Sequence, residues 1–293
     1  MHNKDKAEKI LEDYNDVFAD IYNVLVFGKT YLKEDGLKPG ATESIYKADS
    51  GGLNEQRRDI LKNYQNQNLA ICSLGIENQS DVDDYMPLRI MGYDFATYQG
   101  YVKNKTEILP AITIVLNFSD KRWNKPKTLH GMLQLPEELK PYVADYPISV
   151  YDVAFLEDDV IEQFSSDFKL VAKYLKKRRL GKIEDLAQDR QRIKHVEAVL
   201  DLFRVFTKDD RYENLFTENV KYIAEKGETI SMCIVLDTVE QRGIEKGISQ
   251  GISQGRLGLL KKWVMNEKIT LEEAAEEMEM TVAELQERFA ESV

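Results

Sequence analysis

Two carboxylates at the ends of a predicted hairpin carry the first chemical signal in the sequence. Asp59 lies in a predicted strand over residues 58–64, and Glu77 directly follows a mostly apolar strand over residues 69–76. The polar turn at residues 65–68 lies midway between them, so antiparallel pairing would set them nearly opposite each other. Like charges in that position are destabilising unless a cation binds between them, and Mg²⁺ binds through one or two carboxylates. The spacing therefore points to a divalent-metal site, with two water-exposed hairpin acids as the alternative.

Gln79 extends this polar group of side chains. It lies two residues beyond Glu77, so both side chains project from the same face of the strand. A carboxylate at the end of a buried strand costs free energy unless it is paired, hydrated or bound to a ligand. We therefore expect Asp59, Glu77 and Gln79 to form one wall of a polar site.

The elements around the hairpin predict an α/β core with a mixed sheet. Residues 10–27 carry apolar side chains at the three- and four-residue steps of a helix. Pro87 opens a second helix that runs to about Tyr101, and β-branched residues fill a strand over residues 111–118. Residues 148–156 are a further strand candidate. The order of these elements is typical of a sheet flanked by helices.

The C-terminal part is predicted to be helical after about residue 160. Glycines recur every four residues from Gly243 to Gly255, which would place them on one helix stripe open to close approach by a second helix. A flexible connector is the alternative, because glycine costs about 1 kcal/mol relative to alanine within a helix. Two capping-box patterns, Thr270 with Glu273 and Thr281 with Glu284, predict two short helices. The sequence slightly favours a connector that becomes helical when it packs, and self-association through the glycine tract and these helices is the other use considered for this end.

Charge narrows the class of protein. The 293 residues include 40 Lys and Arg against 51 Asp and Glu, a net charge of −11, which argues against coating nucleic acid by bulk charge. The last 31 residues, 263–293, hold nine Glu against Lys268 and Arg288, a net charge of −7. The remainder is therefore only mildly acidic and can present a local basic face, whereas the tail favours protein interaction over DNA contact.

Cysteine content and hydropathy indicate a reduced, cytoplasmic protein without a membrane partner. Cys72 and Cys233 are the only two cysteines and both lie in apolar runs, so they cannot form a disulfide framework. No apolar run approaches the roughly 20 residues that a membrane helix needs. The polar residues 1–9 predict no signal peptide.

Several short stretches occur in the same order as in one known family. They are DVFADI at 16–21, TES at 42–44, EQRRD at 55–59, GIENQ at 75–79 and MPLRIMGYD at 86–94. Through them, about residues 10–175 resemble the Rpn family of recombination-promoting nucleases and putative transposases, within the PD-(D/E)XK nuclease superfamily. The resemblance implies a restriction-endonuclease-like core of a mixed sheet flanked by helices, followed by a helical C-terminal extension. It also implies a metal-dependent DNA endonuclease acting in recombination, transposition or defence against foreign DNA.

The resemblance assigns roles to the hairpin residues. Asp59 and Glu77 match the family's two metal carboxylates, and the backbone carbonyl of Asn78 would be a further ligand for Mg²⁺, or for Mn²⁺ or Ca²⁺. Gln79 occupies the position of the superfamily's lysine, as it does in many members of the family that read E-x-Q. Glutamine can orient the attacking water by a hydrogen bond but cannot neutralise charge. Glu43 is the candidate for an additional upstream acid, with a solvated loop glutamate as the alternative.

Four further residues are expected to face DNA. Arg89 and Tyr93 are four apart on one helix face, and Arg57 and Lys47 precede the hairpin. Arg89, Arg57 or Lys47 could supply the charge that Gln79 lacks. If the site lacks that charge, the alternative function is a weak or inactive nuclease fold that acts as a DNA-binding or protein-interaction module.

The chain is thus predicted to divide into four segments. They are a nuclease-like core over 1–175, a helical extension over 176–240, a Gly-x-x-x-Gly helix or connector over 241–262 and an acidic two-helix tail over 263–293. The basic stretches at 121–127 and 173–182 are further candidates for DNA contact. Within the first of them, Trp123 either stacks on a base or packs in the core.

Overall fold

The structure is a computed structural model that describes residues 9–40, 43–47, 53–66, 69–79, 82–207 and 230–291. Over residues 43–47 and 53–57 it describes the backbone alone. The chain forms two compact units, Met1–Val235 and Leu236–Val293. The predicted division into four segments stays a prediction.

A five-stranded mixed sheet forms the centre of the first unit, as predicted. Its strands in spatial order are β1 (Leu37–Pro39), β4 (Ile60–Asn66), β5 (Leu69–Gln79), β6 (Ala111–Asn117) and β7 (Ser149–Asp152). β1, β4 and β5 pair antiparallel, whereas β5, β6 and β7 pair parallel. A separate antiparallel pair joins β2 (Glu43–Lys47) to β3 (Leu53–Arg57). The predicted α/β class with a mixed sheet is therefore confirmed.

β5 occupies the middle of the sheet because its composition suits burial on both faces. All seven residues from Cys72 to Asn78 are buried. On the parallel neighbour β6, Ile114, Val115 and Leu116 are wholly buried. β7 is shorter than predicted, because the chain turns into a 3₁₀-helix at Val153–Phe155.

Helices cover the sheet. They are α1 (Asn15–Tyr22), α2 (Met86–Asn104), α3 (Leu129–Leu133), α4 (Asp158–Gln163), α5 (Phe168–Leu180) and α6 (Val196–Thr207). Residues 9–12 are helical before a break, and α1 continues into a π-helical turn at Asn23–Phe27. The wholly buried Tyr22 donates its hydroxyl to the backbone carbonyls of Gly75 (2.7 Å) and Ile112 (2.9 Å), which fixes α1 against β5 and β6.

α2 makes the crossover that allows β5 and β6 to run parallel. Pro87 lies in its first turn, where a missing N–H is tolerated. The inner face of α2 packs through Met86 and Ile90 against Trp123, which is 7% exposed. Trp123 is therefore a core residue and does not present its ring for stacking on a base.

The second unit is helical. The long helix α7 (Met232–Met265) enters it and carries the whole glycine tract in helical form, and α8 (Leu271–Glu277) and α9 (Val282–Glu291) follow. Both predicted capping boxes are present at the starts of α8 and α9. The core of this unit consists of Leu260, Ala274, Ala275 and Leu285. Self-association through the glycine tract stays a prediction. Over the described ranges, no helix is long and apolar enough to cross a membrane.

Candidate functional site

The hairpin register brings Asp59 and Glu77 to the same end of neighbouring strands. Ile60 pairs with Ile76, so Asp59, one residue before β4, stands beside Glu77 on β5. Asp59 Oδ2 accepts a hydrogen bond from the backbone N–H of Asn78 at 2.8 Å. This bond ties the chain entering β4 to the end of β5 and sets the Asp59 carboxylate next to the E-x-Q residues.

Glu77 has a buried carboxyl group. Among the described residues, one of its oxygens has hydrogen-bond partners and the other has none. Its side chain is 2% exposed. Oε1 accepts from Gln79 Nε2 at 3.1 Å and from Arg89 Nη2. Oε2 is buried and has no hydrogen-bond partner among the described residues. A buried acceptor left without a donor costs about 1–3 kcal/mol, so this oxygen is suited to a ligand that the protein itself does not provide.

The electrostatic environment of Glu77 favours its uncharged form. Burial raises the pKa of Glu77 to about 8, and the negative charge of Asp59 acts in the same direction, against the opposing charges of Arg89 and Lys9. A carboxyl shifted by burial together with a specific charged neighbour is more often found at functional sites than elsewhere. A cation bound between Asp59 and Glu77 would relieve both effects.

Arg89 joins α2 to the site. Its guanidinium bonds to Glu77 Oε1, to Asp83 Oδ2 at 2.7 Å and to the hydroxyl of Tyr93 at 3.0 Å. Arg89 thus faces the site through Glu77 and Tyr93 and also forms an ion pair with Asp83. Since its side chain is 36% exposed, it presents a cation at the surface of the site as well.

Gln79 makes two hydrogen bonds within the same group. Its amide Nε2 donates to Glu77 Oε1 and, at 2.8 Å, to the backbone carbonyl of Asn78. The backbone carbonyl of Asn78 can only accept, so the end of the amide that bonds to it is the nitrogen. The Asn78 carbonyl keeps its second lone pair for another ligand.

Two residues at this end of the sheet were missed by the sequence prediction. Lys9 Nζ lies 2.6 Å from Asp59 Oδ1, and Glu12, 1% exposed, accepts from Asn78 Nδ2 at 2.6 Å. Both belong to the helical residues 9–12. Lys9 and Glu12 are three apart and share a helix face. That spacing is the signal that could have found them, although it does not reveal the distant partner.

Three predicted site residues lie on the β2–β3 pair. Glu43 and Arg57 are paired in its register, and Lys47 lies at the other end of β2. Their side chains lie outside the described part of the structure. The roles predicted for Glu43, Lys47 and Arg57 therefore stay predictions.

Basic side chains near the end of α5 form ion pairs and hydrogen bonds with other residues of the first unit. Lys173 pairs with Glu162 and Asp189, while Lys177 pairs with Asp185. The neighbouring Arg179 donates to the backbone carbonyl of Ala154. These contacts make the stretch a structural, solvated helix end more than a surface reserved for DNA phosphates.

The described residues fit a divalent ion that uses few protein ligands. No group of three or more His, Cys, Asp or Glu is placed to hold a metal within the described ranges. Asp59, Glu77 with its unpartnered oxygen and the Asn78 carbonyl are nevertheless hard oxygen donors at one end of β5. Mg²⁺ is commonly bound through one or two carboxylates and keeps several waters, so this donor set suits it.

Comparison with known proteins connects this site to a family. The family model described as "Putative transposase, YhgA-like" matches residues 52–204, which is more than half of the chain. The matched region contains the hairpin, α2 and the parallel strands β6 and β7. The predicted resemblance is thereby confirmed at the level of the family. Neither the curated proteins nor the solved structures gave a significant match.

Proposed function

We propose that this chain, which belongs to the family of YhgA-like putative transposases, is a divalent-metal-dependent DNA endonuclease with its site at Asp59 and Glu77. The observation that carries the proposal is the buried Oε2 of Glu77, which lies beside a second carboxylate and has no hydrogen-bond partner in the described part of the chain. A structural carboxylate would have recruited a donor at that oxygen, whereas a metal ligand keeps the oxygen for the ion.

The arrangement of the elements supports a PD-(D/E)XK core. One acid stands just before β4, and the E-x-Q residues end the central strand β5. α2 follows directly and sends Arg89 back to the second acid. This is the order that the sequence resemblance implies, with glutamine at position 79 in place of the usual lysine.

The chemistry that fits is hydrolysis of a phosphodiester bond. A divalent ion held by Asp59 and Glu77 would polarise the scissile phosphate and lower the pKa of its bound water. In the reaction the water oxygen would bond to phosphorus and lose one proton, the bond from phosphorus to one deoxyribose oxygen would break, and that oxygen would take up a proton. Gln79 orients the water, and Arg89 offers a charged donor to a phosphate oxygen.

DNA is the substrate class that this family and this charge pattern favour. Arg89 and Lys9, 36% and 40% exposed, present two positive charges where two acids meet, although the whole chain has a net charge of −11. Local cations can attract a phosphate even when net charge is negative, because exposed charges are screened beyond about 10 Å. A link to recombination, transposition or defence against foreign DNA rests on the family alone.

The test is cleavage of supercoiled plasmid by the purified full chain with Mg²⁺ or with chelator. We expect nicking that needs Mg²⁺ and falls by at least about 100-fold in Asp59→Asn and Glu77→Gln, because each removes a charged ligand. Glu137→Gln is the matched control, since Glu137 is 83% exposed and pairs only locally, with Lys140. Undiminished nicking by both site variants would refute the proposal.

The alternative function is DNA binding without catalysis. Gln79 adds no charge to the site, and Lys9 and Arg89 of the protein itself already pair with Asp59 and Glu77. If the folded wild-type chain binds DNA but does not nick it with Mg²⁺ or Mn²⁺, the non-catalytic DNA-binding reading replaces the endonuclease.

A further inference from the structure

We propose that Lys9 is the mobile cation of the site, neutralising Asp59 until a divalent ion takes its place and then moving to the phosphate of DNA. The inference rests on the proposed endonuclease and adds a residue to it. It answers which side chain supplies the charge that Gln79 cannot, and it assigns that task to the N-terminal helical residues 9–12.

The two carboxylate oxygens of Asp59 have different partners. Oδ2 accepts from the backbone N–H of Asn78 at 2.8 Å and is thereby fixed to β5. Oδ1 is in contact with Lys9 Nζ at 2.6 Å. A metal ion shared with Glu77 would need an Asp59 oxygen that is not already bound to a backbone amide. Lys9 therefore lies on the oxygen that the metal would use.

The side chain of Lys9 is less constrained than those of two other cations of the first unit, Arg89 and Lys62. Arg89 is held by Glu77, Asp83 and Tyr93 together. Lys62 is 3% exposed and binds the backbone carbonyl of Asp13 and the side chain of Asn15 at 2.8 Å. Lys9 is 40% exposed and reaches Asp59 from the surface, so its ammonium can leave without becoming buried and unpaired.

The net charge of the site would change when a divalent ion binds. With a divalent ion bound, Asp59 and Glu77 are both ionised as its ligands, and their two negative charges are matched by the cations of Lys9 and Arg89. Adding a divalent ion gives this group of four side chains an excess of two positive charges. A phosphodiester would then be attracted, and the released Lys9 is a flexible donor close enough to meet it.

The experiment uses the full-length protein and three variants. Lys9→Gln removes the charge, Lys9→Arg keeps it, and Lys103→Gln changes an exposed lysine in the last turn of α2. Lys103 lies 14 residues from Arg89, about 21 Å along the helix, which makes it a matched surface control. Thermal melting of each variant establishes that the fold is retained.

The first readout is the affinity for Mn²⁺ without DNA, measured by titration calorimetry. We expect Lys9→Gln to bind Mn²⁺ about fivefold more tightly than wild type, because an exposed ion pair no longer competes for Asp59. Lys9→Arg and Lys103→Gln should match wild type. If Lys9 only holds Asp59 in place, Lys9→Gln would bind Mn²⁺ more weakly, and that result or an unchanged affinity overturns the inference.

The second readout is cleavage at saturating Mn²⁺. We expect Lys9→Gln to lower kcat by at least about tenfold with a much smaller change in KM, because the lost contact matters most as charge develops on the phosphate. Lys9→Arg should restore most of kcat. Wild-type protein that binds Mn²⁺ and nicks DNA, with Lys9→Gln indistinguishable from it, refutes the role of Lys9 alone. Wild-type protein that neither binds Mn²⁺ nor nicks DNA refutes the endonuclease as well.

Discussion

Glu77 and Asp94 are both buried acids of the first unit, and they differ in how their oxygens are used. Asp94, 5% exposed, accepts at Oδ1 from Arg58 Nη2 (2.8 Å) and Thr113 Oγ1 (2.6 Å), and at Oδ2 from Tyr146 (2.6 Å). Glu77, 2% exposed, has both of its donors on Oε1 and none, among the described residues, on Oε2. The two carboxyl groups are therefore similarly buried, but the hydrogen bonding of their oxygens differs.

The difference separates a structural carboxylate from one that awaits a ligand. Asp94 lies on α2 and Arg58 lies just before β4, so their pair clamps the helix onto the hairpin. Arg58 lies across Gly75 of β5, where an added Cβ would come within 2.5 Å of the Arg58 side chain. Only glycine at position 75 leaves room for the Arg58 side chain in this position. Glu77, two residues further along β5, is left incompletely bonded.

The largest effect expected from this comparison is the loss of stability in Asp94→Asn. The guanidinium of Arg58 is 3% exposed, and its Nε and Nη1 already have no acceptor among the described residues. Removing its carboxylate partner should lower the free energy of unfolding by about 3–5 kcal/mol. Urea unfolding followed by circular dichroism measures this change. A loss below about 1 kcal/mol would mean that the clamp is not structural.

A smaller effect is expected from pH, and it belongs to Glu77. Its pKa is raised to about 8 in the folded protein by burial and by Asp59, whereas in the unfolded chain the carboxyl titrates near 4.5. Between these values the folded state holds a proton that the unfolded state has lost. The free energy of unfolding therefore falls as pH rises through this window and levels off above about pH 8.

Glu77→Gln provides the control for this pH dependence. The variant cannot titrate at position 77, so from about pH 5 to pH 8 wild type should lose at least about 1.4 kcal/mol relative to it, the equivalent of one pKa unit. Urea unfolding of both proteins in chelator at several pH values tests this. Parallel stability curves would show that Glu77 ionises in the folded protein much as it does in the unfolded chain.

The sequence predicted the hairpin part of the site because that part is set by local geometry. Once the turn lies at residues 65–68, antiparallel pairing brings Asp59 close to Glu77. A bulge between Tyr64 and Gln65 shifts the register by one residue, so that Ile60 pairs with Ile76 and Asp59 stands directly beside Glu77. The same holds for α2, since Pro87 marks its first turn and the four-residue step aligns Arg89 with the site.

The rest of the site depends on contacts between distant residues, which no local pattern encodes. Lys9 meets Asp59 across 50 positions, and Arg58 meets Asp94 across 36. In the sequence each of these side chains resembles an ordinary surface charge. The sequence alone therefore does not show that Asp94 is fully hydrogen-bonded. It also does not show that one oxygen of Glu77 lacks a partner among the described residues.

The smallest expected effect is that of Tyr93→Phe, in a comparison of two tyrosines that are each bonded to one of the two groups. Tyr146→Phe removes a donor from Asp94, whereas Tyr93→Phe removes only an acceptor from Arg89, which keeps Glu77 and Asp83. Burial and the bond to Asp94 raise the pKa of Tyr146, so its hydroxyl remains a donor at neutral pH.

Because a hydrogen bond to a charged group is worth about 1.5–3 kcal/mol, Tyr146→Phe should lower the free energy of unfolding by about that amount, and Tyr93→Phe by clearly less. Tyr146→Phe should also leave the Mn²⁺ affinity of the folded protein unchanged, since Asp94 binds no metal in the proposed site. Urea unfolding and calorimetric titration measure both quantities. A weaker Mn²⁺ affinity in Tyr146→Phe would show that the clamp at Asp94 and the site at Glu77 are energetically coupled through α2, and the two carboxylates would then form one system.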